Sequence, residues 1–243
     1  MFSRLTAFAR SSIGKKTFMS LTGGALILFL LGHVAGNMTL FLDADGHTFD
    51  LYADTLRSNP ALPLIEIGLT LLFVGHIVLG LRTALENREA RPERYKALNS
   101  HGNRTPSSVS MIVTGTIVLV FLVIHLLDFR FTEEDPRGFS FMVVERLSTP
   151  LGAGIYFIGV GALGVHLMHA FQSLFQSLGI HHPRLRPLIK TVGFGLAALF
   201  AVLFWLFPSI CLLKPDRWDF HEPASAQESA ADHSESDNNG GHR

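Results

Sequence analysis

Five long apolar runs, joined by short polar linkers, limit what this chain can fold into. They lie at about Phe18–Phe41, Leu62–Leu85, Ser108–Arg130, Leu151–Phe175 and Leu188–Leu213. Each holds roughly 23–26 residues, and at ~1.5 Å per residue each can cross a ~30 Å hydrocarbon core with some tilt. Lipid offers backbone groups no water, so such runs are expected as helices. Prolines stand at the entries of the runs (Pro60 and Pro63, Pro150, Pro187), where a helix tolerates them. The expected fold is all-α, a five-helix transmembrane bundle over 18–213. A cytoplasmic flank precedes it at 1–17. From 214 to 243 the chain is polar, acidic and nearly free of large aliphatics, and is expected to be a disordered extracytoplasmic tail. Its histidines, His221, His233 and His242, read as solvated spacers.

Composition agrees with a lipid setting. Charged residues are 16% of the chain, where a soluble domain carries about a quarter, and mean hydropathy is +0.32. Net charge is zero, which argues against nucleic acid as a partner. A single cysteine, Cys211, excludes an internal disulfide and a cysteine-ligated iron–sulfur cluster. Chemistry must come from histidines, carboxylates or a bound cofactor.

Lysine and arginine bias sets the expected orientation. The amino-terminal flank carries four, the linker after the second run five (Arg88, Arg91, Arg94, Lys96, Arg104) and the linker after the fourth three. The opposite segments carry six, together with acids such as Asp43, Asp50, Glu133 and Asp135. The amino terminus is therefore expected in the cytoplasm and the carboxyl terminus outside.

Each of the first four runs holds a histidine well inside it: His33, His76, His125 and His166. An ionisable side chain within a membrane helix is costly and marks a functional-site hypothesis. Counting from each midpoint at ~1.5 Å per residue, His33 and His125 lie about 5 and 9 Å toward the outside. By the same count His76 and His166 lie about 4 and 5 Å toward the cytoplasm. Two layers of two result. Haem iron accepts an imidazole on each face, and facing helices of a bundle are a usual place for such a site. The plainer reading is that each imidazole bonds a neighbouring helix. Zinc fits less well, since no cysteine or carboxylate shares either layer.

Small residues accompany these histidines: Gly32 and Gly36, Gly75 and Gly80, and Gly154, Gly159, Gly161, Ala162 and Gly164 before His166. They leave room for a flat group or for close helix packing. His169, one turn past His166, is a propionate partner or a substitute ligand. Lys15, Lys16, Arg82 and Lys190 either pair with propionates or snorkel to the interface.

The segments SIGKKTFMSLTGGALILFLLGHVAGNM, GHIVLGLRTAL, VFLVIHLLDFRF and VHLMHAFQSLFQSLGI carry a family likeness. In order, with histidine intervals of 43, 49 and 41 residues, they resemble helices one to four of a known group. That group is the di-haem cytochrome b membrane-anchor subunits of bacterial succinate:quinone oxidoreductase and fumarate reductase. The likeness runs from about Ser12 to Leu213. It implies two haem b groups, a distal one on His33 and His125 and a proximal one on His76 and His166. It also implies a flavoprotein and an iron–sulfur subunit docked on the cytoplasmic side of the bacterial inner membrane, quinone (menaquinone) as substrate, and a dimer of heterotrimers. Electrons would pass between the iron–sulfur partner and quinone through the haems, in either direction. Glu66, roughly 15 Å outward of His76, is the candidate for proton exchange at the quinone, or else a plain interfacial carboxylate. Asp128, one turn past His125, is a weaker candidate. Two other readings compete: another quinol-linked di-haem b subunit, and a proton-coupled transporter using the histidines as a relay. The latter predicts broken helices and internal repeats, and the sequence displays no convincing repeat.

Overall fold

The computed structural model describes residues 7–8, 11–89, 106–180 and 182–220. Among them are seven α-helices: α1 Ser12–Asn37, α2 His47–Arg57, α3 Leu62–Glu89, α4 Pro106–Phe129, α5 Phe139–Ser148, α6 Pro150–Ser177 and α7 Arg186–Leu213. Five of these, all but α2 and α5, are long and apolar enough to cross a membrane. They turn large apolar side chains outward: Leu64, Leu151 and Leu213 are 74%, 72% and 76% exposed. A chain that leaves this much aliphatic surface uncovered is built for lipid.

The long helices start where their caps place them. Ser11 accepts from the Gly14 amide at 3.0 Å and starts α1 at Ser12. That is six residues before the expected Phe18. Lys15 therefore lies on the helix, where it pairs with Glu86 of α3. A long lysine stem extends the helix through the interface while its ammonium reaches a carboxylate. Thr149 accepts from the Gly152 amide at 3.1 Å, with Pro150 in the first position of α6. Pro208 sits buried inside α7, a position that sequence rules for helix interiors disfavour. Membrane helices accept it because neighbours satisfy the freed backbone groups.

Packing is uneven. α1 lies against α3 and α6, α4 against α6, and α7 along α6. α3 and α4 share no extensive contact, and a bidentate pair joins them at one end, where Arg130 donates to Glu66 at 2.8 and 3.0 Å.

The short helices α2 and α5 close that same end and were not expected from the sequence. Their left-handed entry residues, Gly46 (φ 74°) and Gly138 (φ 106°), start them. Asp50 of α2 accepts from the Ser140 amide at 2.7 Å and from its hydroxyl at 2.8 Å, capping α5 from another helix. Phe49 and Phe139 stack at 5.6 Å with 7° between their planes, and Arg57 lies 4.5 Å over the Phe139 ring. The tail expectation is also corrected in part. Residues 215–217 form a 3₁₀ turn, Trp218 stacks on Phe220, and the Asp219 amide donates to Ala44 at 2.9 Å. Two aromatics supply the burial that the missing aliphatics would not. Residues 221–243, with His221, His233 and His242, lie outside the described residues, as do Arg4, Arg10, Arg91, Arg94, Lys96 and Arg104.

The Asp50–Ser140 contact makes a prediction. Ser140 is fully buried, so Asp50→Ala leaves an unmet donor and should cost about 1–3 kcal/mol. Thermal unfolding of the detergent-solubilised chain should show a lowered midpoint for this variant and little change for Asp54→Ala.

Candidate functional site

The four histidines of the spanning helices meet in twos. His33 on α1 faces His125 on α4, with ring centres 5.8 Å apart and planes at 90°. His76 on α3 faces His166 on α6 at 6.4 Å and 82°. These are the pairs that depth counting placed together. Topology puts the first pair on the side capped by α2 and α5, and the second toward the opposite side.

Each ring is held by its other nitrogen, with one exception. His76 Nδ1 lies 3.2 Å from the Met19 carbonyl and 3.2 Å from the Thr22 hydroxyl. A carbonyl only accepts, so His76 carries its proton on Nδ1 and leaves Nε2 as a lone pair. His166 Nδ1 lies 3.4 Å from the Thr114 hydroxyl, which already donates to Ser110 at 2.6 Å and so accepts from the ring. His125 Nδ1 lies 3.4 Å from Tyr156 Oη, whose proton goes to Asp128 at 3.0 Å. His33 is the exception, with Nε2 3.4 Å from Asn37 Nδ2.

The donor set fits a metal taken on two opposite faces. Two imidazoles bound end-on to one iron, at ~2 Å per bond plus each ring's radius, put their centres about 6 Å apart. The observed 5.8 and 6.4 Å straddle that value. Anchoring Nδ1 by hydrogen bond is how ligating histidines are oriented. Among the described residues no three histidines, cysteines or carboxylates cluster as a metal site. Thr83 is two turns past His76 on α3, and its hydroxyl is buried without a partner.

An internal repeat underlies the pairing, which corrects the expectation of none. Met19, Thr22, Gly23, His33 and Gly46 recur as Met111, Thr114, Gly115, His125 and Gly138, each 92 positions on. Pro60 and His76 recur as Pro150 and His166, 90 positions on. The contacts repeat as well. A Cβ on Gly23 would stand 3.1 Å from the His76 ring, and one on Gly115 would stand 3.3 Å from the His166 ring. Each histidine pair therefore joins a residue to its own counterpart, the isologous contact that a two-fold relation generates.

The glycines divide between the two roles read for them. Nothing lies within 4 Å of a Cβ added at Gly32, Gly75 or Gly154. At Gly159 a Cβ would run into the Phe121 ring, at Gly36 into Tyr52, and Gly161 and Gly164 face Trp205 and Ala201 at 3.4 Å. Before His166, then, most small residues serve helix packing rather than clearance. Of the two neighbouring histidines it is His166 that faces a second imidazole, His76; among the described residues no other histidine ring faces His169. Glu66 lines a 360 Å³ cleft with Pro63, Ile67, Thr70 and Leu71, its carboxylate clamped by Arg130. Arg130, just past the end of α4, is held above the usual guanidinium range by that carboxylate. A larger cleft of 680 Å³ on the capped side is bordered by Asp128, Glu133, Glu134, Asp135 and Arg146. Bidentate donation from Arg137 pulls the Asp135 carboxyl down to about 2. Sequence reading missed Thr22 and Thr114, whose only signal was their place in the repeat, and Tyr156, which the repeat does not mark because Glu66 stands at the equivalent position.

No family model matches the chain, nor does any curated protein or solved structure.

The glycine assignment is testable without any ligand. Gly159→Val drives a side chain into Phe121, which also packs on His125 and Tyr156. Such overpacking should cost about 1–3 kcal/mol. Gly154→Val, with open space around it, should leave the unfolding midpoint within error of the parent.

Proposed function

We propose that this chain is the membrane anchor and electron-transfer subunit of a succinate:quinone oxidoreductase or fumarate reductase. In that reading it is the enzyme's cytochrome b subunit. The observation that supports it best is the two imidazole pairs, on two levels of a lipid-facing bundle, spaced for one iron each. Two haem b groups would be held, one by His33 and His125 and the other by His76 and His166. When bound they supply one-electron redox chemistry.

The chain's own residues do the rest. Nδ1 hydrogen bonds to Thr22, Thr114 and Tyr156 turn three of the four ligand nitrogens toward their partner rings. Coordination offsets the cost of keeping imidazoles in lipid. Cys211 is the only cysteine, so iron–sulfur clusters belong to a partner subunit and flavin to another, both docked on the cytoplasmic side. The lysine and arginine bias supports an amino terminus in the cytoplasm of a bacterium with the carboxyl terminus outside the inner membrane. Menaquinone is the substrate we assign, in a complex that pairs as a dimer of heterotrimers. Glu66 beside its cleft is the group we assign to proton exchange at the quinone, and that exchange goes with release of the Arg130 clamp.

The repeat is a feature that a proton-coupled transporter would share. Transporters, however, break their helices at the binding level, and α1, α3, α4 and α6 run unbroken past their histidines.

A reduced-minus-oxidised spectrum of purified membranes should show a b-type α-band, and its absence would end the haem reading. His76→Ala or His166→Ala should each lower haem from two to one per chain, and His33→Ala or His125→Ala should remove the other. If all four variants keep two haems, the ligand set is wrong.

A further inference from the structure

The four ligand positions are not equivalent, and the difference lies at His125. Its Nδ1 proton points to Tyr156 Oη at 3.4 Å, the Tyr156 hydroxyl donates to Asp128 Oδ2 at 3.0 Å, and Arg146 Nε donates to the same oxygen at 2.8 Å. The chain of bonds crosses three helices, α4, α6 and α5, and ends at the 680 Å³ cleft on the capped side. Tyr156 is 7% exposed, so the link to the imidazole is shielded. No other ligand has a carboxylate behind it. His76 and His166 rest on hydroxyls and a main-chain carbonyl, and His33 lies beside the Asn37 amide. The repeat makes the point sharper, because the counterparts of Asp128 and Tyr156 are Gly36 and Glu66. Gly36 has no side chain to accept a bond, and Glu66 is turned to Arg130. One half of the molecule has the chain and the other does not.

A carboxylate that pulls, through a phenol, on the far proton of a ligating imidazole makes that imidazole a stronger electron donor. Stronger donation favours ferric over ferrous iron and lowers the potential. We propose that Tyr156 and Asp128 are positioning residues for His125: they fix its tautomer, aim Nε2 at His33, and lower the potential of the iron held by that pair alone. Arg146 moderates the effect by sharing the same carboxylate oxygen. This inference rests on the haem reading above.

Redox titration of the membrane-bound complex, followed optically, tests it. Tyr156→Phe changes no charge and cuts the chain of bonds. It should raise the ferrous-to-ferric ratio of the capped-side haem about tenfold at a fixed potential, equal to about 59 mV for one electron. Asp128→Asn keeps the side-chain shape and should move the same haem in the same direction, which decides the matter should Tyr156→Phe lose haem. The His33→Ala variant, which removes the capped-side haem, assigns the signal. The haem on His76 and His166 should stay at its parent potential in both variants. An unmoved capped-side potential, or equal movement of both haems, would overturn the positioning role while leaving the haem reading intact. A complex with no b-type signal would overturn both.

Discussion

Two contacts between imidazoles, one per level, are what the bundle is built to make. A neutral imidazole in lipid loses its water, and burying a polar group without a partner costs free energy that packing must recover. Here each ring gives one nitrogen to a fixed hydroxyl, carbonyl or amide and turns toward a second ring across the bundle. Both contacts bring together helices that otherwise barely touch: α1 with α4, and α3 with α6. The broad packing surfaces lie within each half (α1 on α3, α4 on α6), so the halves are joined largely through α1 on α6 and through the histidines.

The spans and the layers were legible because they follow from single numbers. A fixed rise per residue and a fixed membrane thickness set which runs can cross, and the same rise sorts histidines by depth. Direction along each run then decides which depths coincide, and so His33 met His125 and not His76. The repeat was not legible in that way. Its matches are single residues separated by diverged apolar stretches, and the offset slips from 92 to 90 between Gly138 and Pro150. Apolar residues exchange freely in lipid, so only positions with a specific contact keep their identity. Met19, Thr22 and Gly23 surround one imidazole, and the corresponding residues surround the other.

The cap was missed for a different reason. α2 and α5 have 11 and 10 residues, too short to stand out as apolar runs, and a helix of that length is marginal on its own. What holds them is tertiary: the Asp50 carboxylate on Ser140, the Phe49–Phe139 stack and the aromatic pair at Trp218 and Phe220. The same limit applied to the glycines before His166. Sequence shows that small residues are there, and only the opposing side chains tell whether the space is filled, as by Phe121 at Gly159, or open, as at Gly154.

The fifth spanning helix explains why two similar halves differ in packing. α7 has no counterpart in the repeat and lies along α6, which is 44% buried across its most apolar stretch, whereas the equivalent stretch of α3 is 0% buried. Gly161 and Gly164 of α6 meet Trp205 and Ala201 of α7, so the glycines of the second half are consumed by this extra neighbour. α3 has none. Its outward face stays open to lipid, and the cleft at Pro63, Glu66 and Thr70 lies along it. The repeat thus sets matched imidazoles face to face, and an unmatched helix makes their surroundings unequal. The more buried half holds the Tyr156–Asp128 bond behind His125, while in the more exposed half the equivalent position is Glu66, which lines that cleft and is held by Arg130.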